Sequence, residues 1–341
     1  MGQLTPSILV TVEDNMRVIQ HDEYARLSSE LWWSRFMTVM PTQSKRELVH
    51  FLLSTAKIQD LGLKGGEQKF HDMVSTYMEF VPRFAGDGFK MPRSEFEDLD
   101  GTGFNFANQW SRDISRYMAY WPQELLTQLI IAGETGKSYD NVAFFSGSHP
   151  YNPYNVPAGT YKNIFTGLAS GSYPGAVPID SSVTLDTALT NLSLAIAYIR
   201  TLKMPNGTTP RKLKVSGILA PPQLEQRVQQ LTSAEYIAFA ASSGGGSADI
   251  RGLKRIQQLG DPIIVDEFGD DPTSYYLAIE DPVTSDAGAF VYVDREPFRI
   301  NYYGVLDDVQ LDRINELEWH AKGRNKAGYG HPYKFFKCKK T

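Results

Sequence analysis

The segment 104–132 constrains the fold more than any other. Ala107, Trp110, Ile114, Tyr117, Met118 and Trp121 recur at steps of three and four, the spacing that gathers side chains on one face of an α-helix. Gly133 closes the pattern, and Pro122 interrupts it. A proline inside a helix removes one hydrogen bond and crowds the preceding turn, so a kink or a restart is expected there. A second helix reads from 185 to 202. Leu185, Ala188, Leu189, Leu192, Ala195, Ile196 and Ile199 form its stripe, Thr184 is its N-cap, and Asp186 favours the positive end of its first turn. A buried strand follows at 213–219, and Pro221-Pro222 opens a short helix to about Leu231. Further strands read at 262–265, 274–278, 289–293, 298–303 and 313–320. Helices first and strands crowded into the second half give an α+β chain, not an alternating α/β one.

Residues 1–36 read as an arm with helical pieces, ending in Leu31-Trp32-Trp33. Residues 37–92 alternate irregularly around the glycine turn 62–66 and read as a long excursion with strand-like stems. The segment 151–182 is rich in Pro, Gly, Tyr, Asn and Ser and reads as a long loop that its aromatics can pin down. Gly244, Gly245 and Gly246 mark a mobile loop at 242–247. No repeat of fixed period is visible.

A chain of 341 residues accommodates two lobes or one large unit. Its 34 basic and 39 acidic side chains lack the basic surplus of a dedicated nucleic-acid binder, although such a balance permits proximity to DNA. Cys338 is the sole cysteine, which excludes an intrachain disulfide and a cysteine-only metal site. Three residues from the end and among lysines, it is expected to be an exposed thiol on a frayed terminus. The first residues lack the basic start and apolar stretch of a signal peptide, and Pro6 stands where a myristoylation signal needs Ser or Thr. No segment approaches the roughly 18 apolar residues of a membrane helix. A soluble protein, made inside the cell and without membrane partners, is expected.

The motifs that carry chemistry do not assemble. A nucleophile elbow needs Gly-x-Ser-x-Gly, and Gly245-Gly246-Ser247 continues as Ala248-Asp249. Gly136-Lys137-Ser138 lacks the upstream glycine spacing of a phosphate loop and reads as a helix-terminating turn. The histidines at 21, 50, 71, 149, 320 and 331 are scattered. Asp98, Asp100 and Gly101 hint at a calcium loop without its remaining ligands, and with Glu95 and Glu97 they read as a solvated acidic turn. No catalytic residue, cofactor or metal is expected.

Four segments, in order, resemble the major head protein family of Mu-like bacteriophages. The first is Met91-Pro92-Arg93-Ser94-Glu95-Phe96-Glu97-Asp98, with Pro122-Gln123-Glu124-Leu125-Leu126 further on. The second is Tyr139-Asp140-Asn141-Val142-Ala143-Phe144-Phe145-Ser146 with His149-Pro150. The third is the strand-to-helix turn from Leu213 to Glu225, and the fourth is Lys322-Gly323-Arg324-Asn325-Lys326-Ala327-Gly328-Tyr329-Gly330. The second and fourth are the most specific, and the resemblance runs from about residue 36 to the C-terminus. Asn141 stands where the family often has glycine, and Asn tolerates the same left-handed turn. The segment 151–182 has a counterpart that varies.

The resemblance implies the tailed-phage shell fold. It has an N-terminal arm (1–36), an extended β-hairpin loop (37–92), a peripheral domain (93–183 and 289–341) whose spine helix is 104–132, and an axial domain (184–288). It also implies a function: a major capsid protein that assembles into hexamers and pentamers and so forms an icosahedral head shell around double-stranded DNA. The implied partners are copies of itself, a scaffold, a portal and decoration proteins, with the virion as its place and the host cytoplasm as the site of assembly. In such a shell Trp32 and Trp33 are candidate anchors of the arm, or alternatively core of their own subunit. Arg46 and Lys64 are candidate partners for acidic neighbours, or solvated charges. Gly244–Gly246 line a ring axis or form a simple tip. Phe144 and Phe145 read as a packed junction between domains and His149 as the cap of its turn. Arg324, Gly328, Tyr329 and Gly330 read as a tight turn with an aromatic lock. An encapsulin-like compartment shares the fold and is the nearest alternative. A soluble hydrolase using His149 with Asp140 or Asp266 is the remote one.

Overall fold

A computed structural model describes residues 6–28, 30–53, 75–92, 94–95, 102–154, 159–233, 259–282, 287–303 and 316–340. Helix α1 (Pro6–Ser28) occupies the expected arm as one piece. Strands β1 (Met37–Pro41), β2 (Glu47–Leu52), β3 (Ser75–Phe80) and β4 (Arg83–Pro92) follow, with β2 paired to β3. These are the strand-like stems of the excursion. Its middle, with Lys64, lies outside the described residues, as does the loop of Gly244, Gly245 and Gly246. Helix α2 (Thr102–Ile131) is the long helix, and it continues through Pro122 without a restart.

Short strands β5 (His149–Pro150), β6 (Thr160–Tyr161) and β7 (Ile164–Phe165) precede helix α3 (Leu185–Thr201). Thr184 caps α3 as expected, its hydroxyl accepting from the Thr187 amide at 3.2 Å. Strand β8 (Lys214–Ala220) and helix α4 (Glu225–Ser233) flank the proline pair. Then come β9 (Ile263–Ile264), β10 (Tyr275–Glu280), β11 (Phe290–Tyr303), β12 (Glu316–Tyr329) and β13 (Phe335–Cys338). The sequence divides 289–303 into two strands, whereas β11 is a single strand of 14 residues, with Pro297 inside it.

The chain forms two compact units. The first comprises Met1–Leu48, Glu79–Gln128 and Val291–Gly328. Its sheet has the order β1-β11-β12-β4. Ile114 and Met118 of α2 pack on Ile300 and Ala321 of that sheet, with Trp110 and Phe298 at their side. Phe89 stacks between Trp319 at 5.3 Å and Trp110 at 6.0 Å. Helix α1 is fixed here by the Ser111 hydroxyl donating to the Met16 carbonyl at 3.1 Å and by Gln20 donating to the Phe298 carbonyl at 3.2 Å.

The second unit comprises Val49–Met78, Leu129–Phe290 and Tyr329–Thr341. Its five-stranded sheet has the order β7-β13-β10-β8-β9, and the stripe of α3 packs into the same core. The segment 151–182 is held as its composition suggests. Tyr161, Phe165 and Tyr173 enter the core, and the Tyr173 hydroxyl donates to the Ile164 carbonyl at 2.7 Å.

Two expectations are overturned. Cys338 is not an exposed thiol: it is 1% exposed, because β13 lies between β7 and β10, which makes the C-terminal residues central to the sheet. Arg324–Tyr329 is not a turn, for β12 runs straight through it. Gly323 and Gly328 are there because rings press on the strand. A β-carbon would strike Phe298 at the first and Phe80 at the second. The aromatic lock itself is present, since the Tyr329 hydroxyl donates to the Leu129 carbonyl at 3.0 Å.

Candidate functional site

The second motif folds into a closed turn in the second unit. Helix α2 ends in the short 3₁₀ turn Ala132–Glu134, and the Gly136 amide bonds back to Ala132 at 2.8 Å. This is the helix-terminating turn expected at Gly136-Lys137-Ser138. Asn141 then adopts φ 61°, the left-handed conformation expected of it. The carboxylate of Asp140 accepts from the Val142 amide at 3.1 Å and meets His149 Nδ1 at 2.6 Å. His149 Nε2 faces the Phe144 carbonyl at 3.1 Å, and the ring stacks on Tyr161 at 5.3 Å.

Both side chains of this pair are buried, at 0% and 2% exposure. A general base needs a free lone pair within reach of a substrate proton. Here each imidazole nitrogen is occupied by an acceptor of the same turn, so the pair fixes backbone. Asp266, the other partner considered, is exposed in a separate 3₁₀ segment.

Phe144 and Phe145 are both buried. Phe144 stacks on Tyr329 at 4.8 Å and lies 5.0 Å from Phe290, all within the second unit. A residue not singled out in the sequence completes the knot. The side chain of Asn163 donates to the carbonyls of Phe144 and of Pro332 (3.1 Å) and accepts from the Ser146 amide at 2.8 Å. The available signal was an amide side chain between Tyr161 and the apolar pair Ile164–Phe165.

The contact candidates divide. Trp33 packs on Tyr292 at 5.9 Å and Trp32 on Phe36 at 5.8 Å, within the first unit, and both indoles remain partly accessible. Arg46 is exposed and its guanidinium meets Glu79 of its own chain at 3.2 Å. Among the described residues no three His, Cys, Asp or Glu side chains cluster as metal ligands, and no helix is long and apolar enough to cross a membrane.

The first unit also presents surface. Between α2 and strands β4 and β12 lies a groove of about 650 Å³, lined by Phe84, Ile114, Tyr117, Met118, Leu125 and Phe298. Phe84 and Tyr117 are 57% and 72% exposed. Exposed aromatics beside an apolar groove mark an association surface more readily than a reaction chamber.

The fold is that of phage capsid subunits. The procapsid of bacteriophage JBD30 matches with a TM-score of 0.52 and 14% identity, over 99% of this chain and 77% of that one. The capsid of cyanophage P-SCSP1u matches with a TM-score of 0.52 and 11% identity, over 89% of this chain and 86% of that one. At such identities the likeness shows the fold. Residues 15–173 match the family described as "Mu-like prophage major head subunit gpT", nearly half of the chain. The resemblance to the Mu-like major head family is thereby shown. It starts earlier than the four motifs suggest, at 15 instead of about 36, and the third and fourth motifs lie beyond it. Measured against the JBD30 capsid (TM-score 0.45, 11% identity, 90% of this chain), the chain spans 64% of that chain's length. No curated protein matches.

Proposed function

We propose that this chain is a major capsid protein. Copies assemble into hexamers and pentamers, and these close into an icosahedral head shell around double-stranded DNA. The single observation that carries this is the coincidence of the capsid fold, over 99% of the chain, with the family match at 15–173. The role is structural and without catalysis. It fits a molecule whose buried Asp140–His149 pair is spent on backbone and whose exposed aromatics sit along a groove.

In this reading α1 serves as the arm, β2 and β3 are the stems of the extended loop, and α2 is the spine helix of the peripheral domain. Helix α3 and strands β8 and β10 belong to the axial domain. Trp32, Trp33, Arg46, Lys64 and Gly244–Gly246 remain candidates for contact with neighbouring subunits. Each contact can be weak, because one subunit engages many neighbours and the closed shell gains by multivalency. The partners proposed are other copies of the chain, a scaffold, a portal, decoration proteins and the packaged DNA, read without sequence specificity. The place is the virion, with assembly in the host cytoplasm.

Sedimentation velocity of the purified chain tests the proposal. The expected result is a concentration-dependent conversion from free subunits to rings and to particles of many subunits. A single slow species, unchanged across concentration and salt, would overturn it.

A further inference from the structure

In the first unit, β11 turns Tyr292, Asp294 and Phe298 into a pocket of about 470 Å³, to which α1 contributes Tyr24 and α2 contributes Met118 and Pro122. The walls are largely aromatic, for Trp33 also lines it and lies 5.9 Å from Tyr292. Asp294 is fixed through its backbone, its carbonyl accepting from the Thr42 amide at 2.9 Å. Its side chain is not so provided for. Oδ1 is out of solvent and has no hydrogen-bond partner. Among the described residues no cation pairs with this carboxylate, and burial alone pushes it up. Burial first, and the Asp294 charge after it, raise both Tyr24 and Tyr292, which places the carboxylate beside those two rings.

A second acceptor belongs to the same wall. Pro122 has no amide hydrogen and α2 runs through it, so the Met118 carbonyl lacks the donor that an unbroken helix supplies four residues on. Both acceptors cost stability while they have no donor. A ligand that answers both must donate hydrogen bonds and carry positive charge. An ammonium group has three donors and no acceptor. It forms a charge-assisted bond to a carboxylate and is attracted to the faces of aromatic rings. An aliphatic stem suits the apolar remainder of the pocket, at Met118 and Phe298. A divalent metal ion fits poorly, since it takes several oxygen ligands and the lining offers a single carboxylate. Arg17 and His21 line the pocket too, but both are exposed, where solvent and salt weaken their repulsion of a cation.

We propose that this pocket, at Asp294, Pro122, Tyr24, Trp33 and Tyr292, binds a primary ammonium group on an aliphatic stem. The ammonium donates to Asp294 Oδ1 and to the Met118 carbonyl, the stem lies on Phe298, and the rings flank the charge. Two sources present this chemistry, a free alkylamine and the lysine side chain of a second copy of the chain. The pocket belongs to one subunit and needs no shell in order to bind.

Ligand-observed NMR of the full chain, dilute and near neutral pH, tests this with n-butylammonium chloride and with n-butanol as its neutral isostere. The ammonium is expected to bind about tenfold or more tighter than the alcohol. Asp294→Asn is expected to weaken that binding by about tenfold or more, and Pro122→Ala, which restores the missing amide donor, by about threefold or more. Asp294→Asn is also expected to melt no lower than the unchanged chain, because it removes a buried charge that has no partner. A carboxylate that served only the fold would lower the melting temperature on replacement, and that result would count against the pocket. Equal binding by dilute subunits and by associated chains assigns the site to a free amine. Binding by dilute subunits alone, with the amine opposing their association, assigns it to a lysine of another copy. No binding of the ammonium, equal affinity for ammonium and alcohol, or binding unchanged in Asp294→Asn would overturn the proposal and leave the shell reading standing.

Discussion

At the scale of single residues, Asp140 and His149 hold a turn by satisfying each other and the backbone out of water. Removing one partner of a buried, charge-assisted pair strands the other. Asp140→Ala is therefore expected to cost about 3 kcal/mol or more in chemical denaturation, while a substitution at the exposed Arg46–Glu79 pair costs under about 1 kcal/mol. Cys338 offers a second test. Burial pushes its thiol well above the ordinary range, against a smaller lowering by the hydrogen bond with Tyr275. A maleimide is expected to leave folded protein unlabelled near neutral pH and to label it fully in denaturant; rapid labelling of the folded chain would contradict the buried C-terminal strand. The first feature was legible in part: His149 reads as the cap of its turn, but Asp140 joins it only in the hydrolase alternative. The second was not, since a cysteine three residues from the end gives no sign that its strand is central.

At the scale of elements, the amphipathic helices α2 and α3 were legible, because a stripe at steps of three and four reports directly on burial. Strand boundaries were less so. Pro297 breaks the pattern of β11 without breaking the strand, and the Gly-rich end of β12 mimics a turn while its glycines make room for rings. The same logic governs Gly133, where a β-carbon would meet the ring of Phe145, against Gly147, where it would meet nothing. Gly133→Ala is expected to destabilise by about 1–3 kcal/mol, and Gly147→Ala to be close to neutral. The C-terminal strand adds a dependence on pH. Burial disfavours the ionised forms of Glu134 and Asp271, but polar partners, with Lys337 at 2.8 Å and 3.1 Å, outweigh it and hold both carboxyls below their ordinary values. Groups lowered in the folded state contribute stability above the unfolded pKa of about 4 and lose it as pH falls through the folded value. Melting temperature is thus expected to drop between about pH 5 and about pH 3, and to drop less steeply in Lys337→Met.

At the scale of the whole molecule, the fold and the family resemblance were readable from four short motifs in order. Contact candidates were sought among aromatic, charged and glycine-loop residues; the structure places Trp32 and Trp33 against their own unit and gives Arg46 a partner in its own chain, while Lys64 and Gly244–Gly246 lie outside the described residues. Exposed groups such as Phe84, Lys322 and Lys326 became visible only once strand register had sorted the faces of one sheet. All of this depends on subunits tiling a closed surface. Electron microscopy of negatively stained, purified protein tests that most directly. Hollow shells, or rings with five-fold and six-fold symmetry, are the expected image; a field of discrete monomers or dimers under every assembly condition would contradict the account.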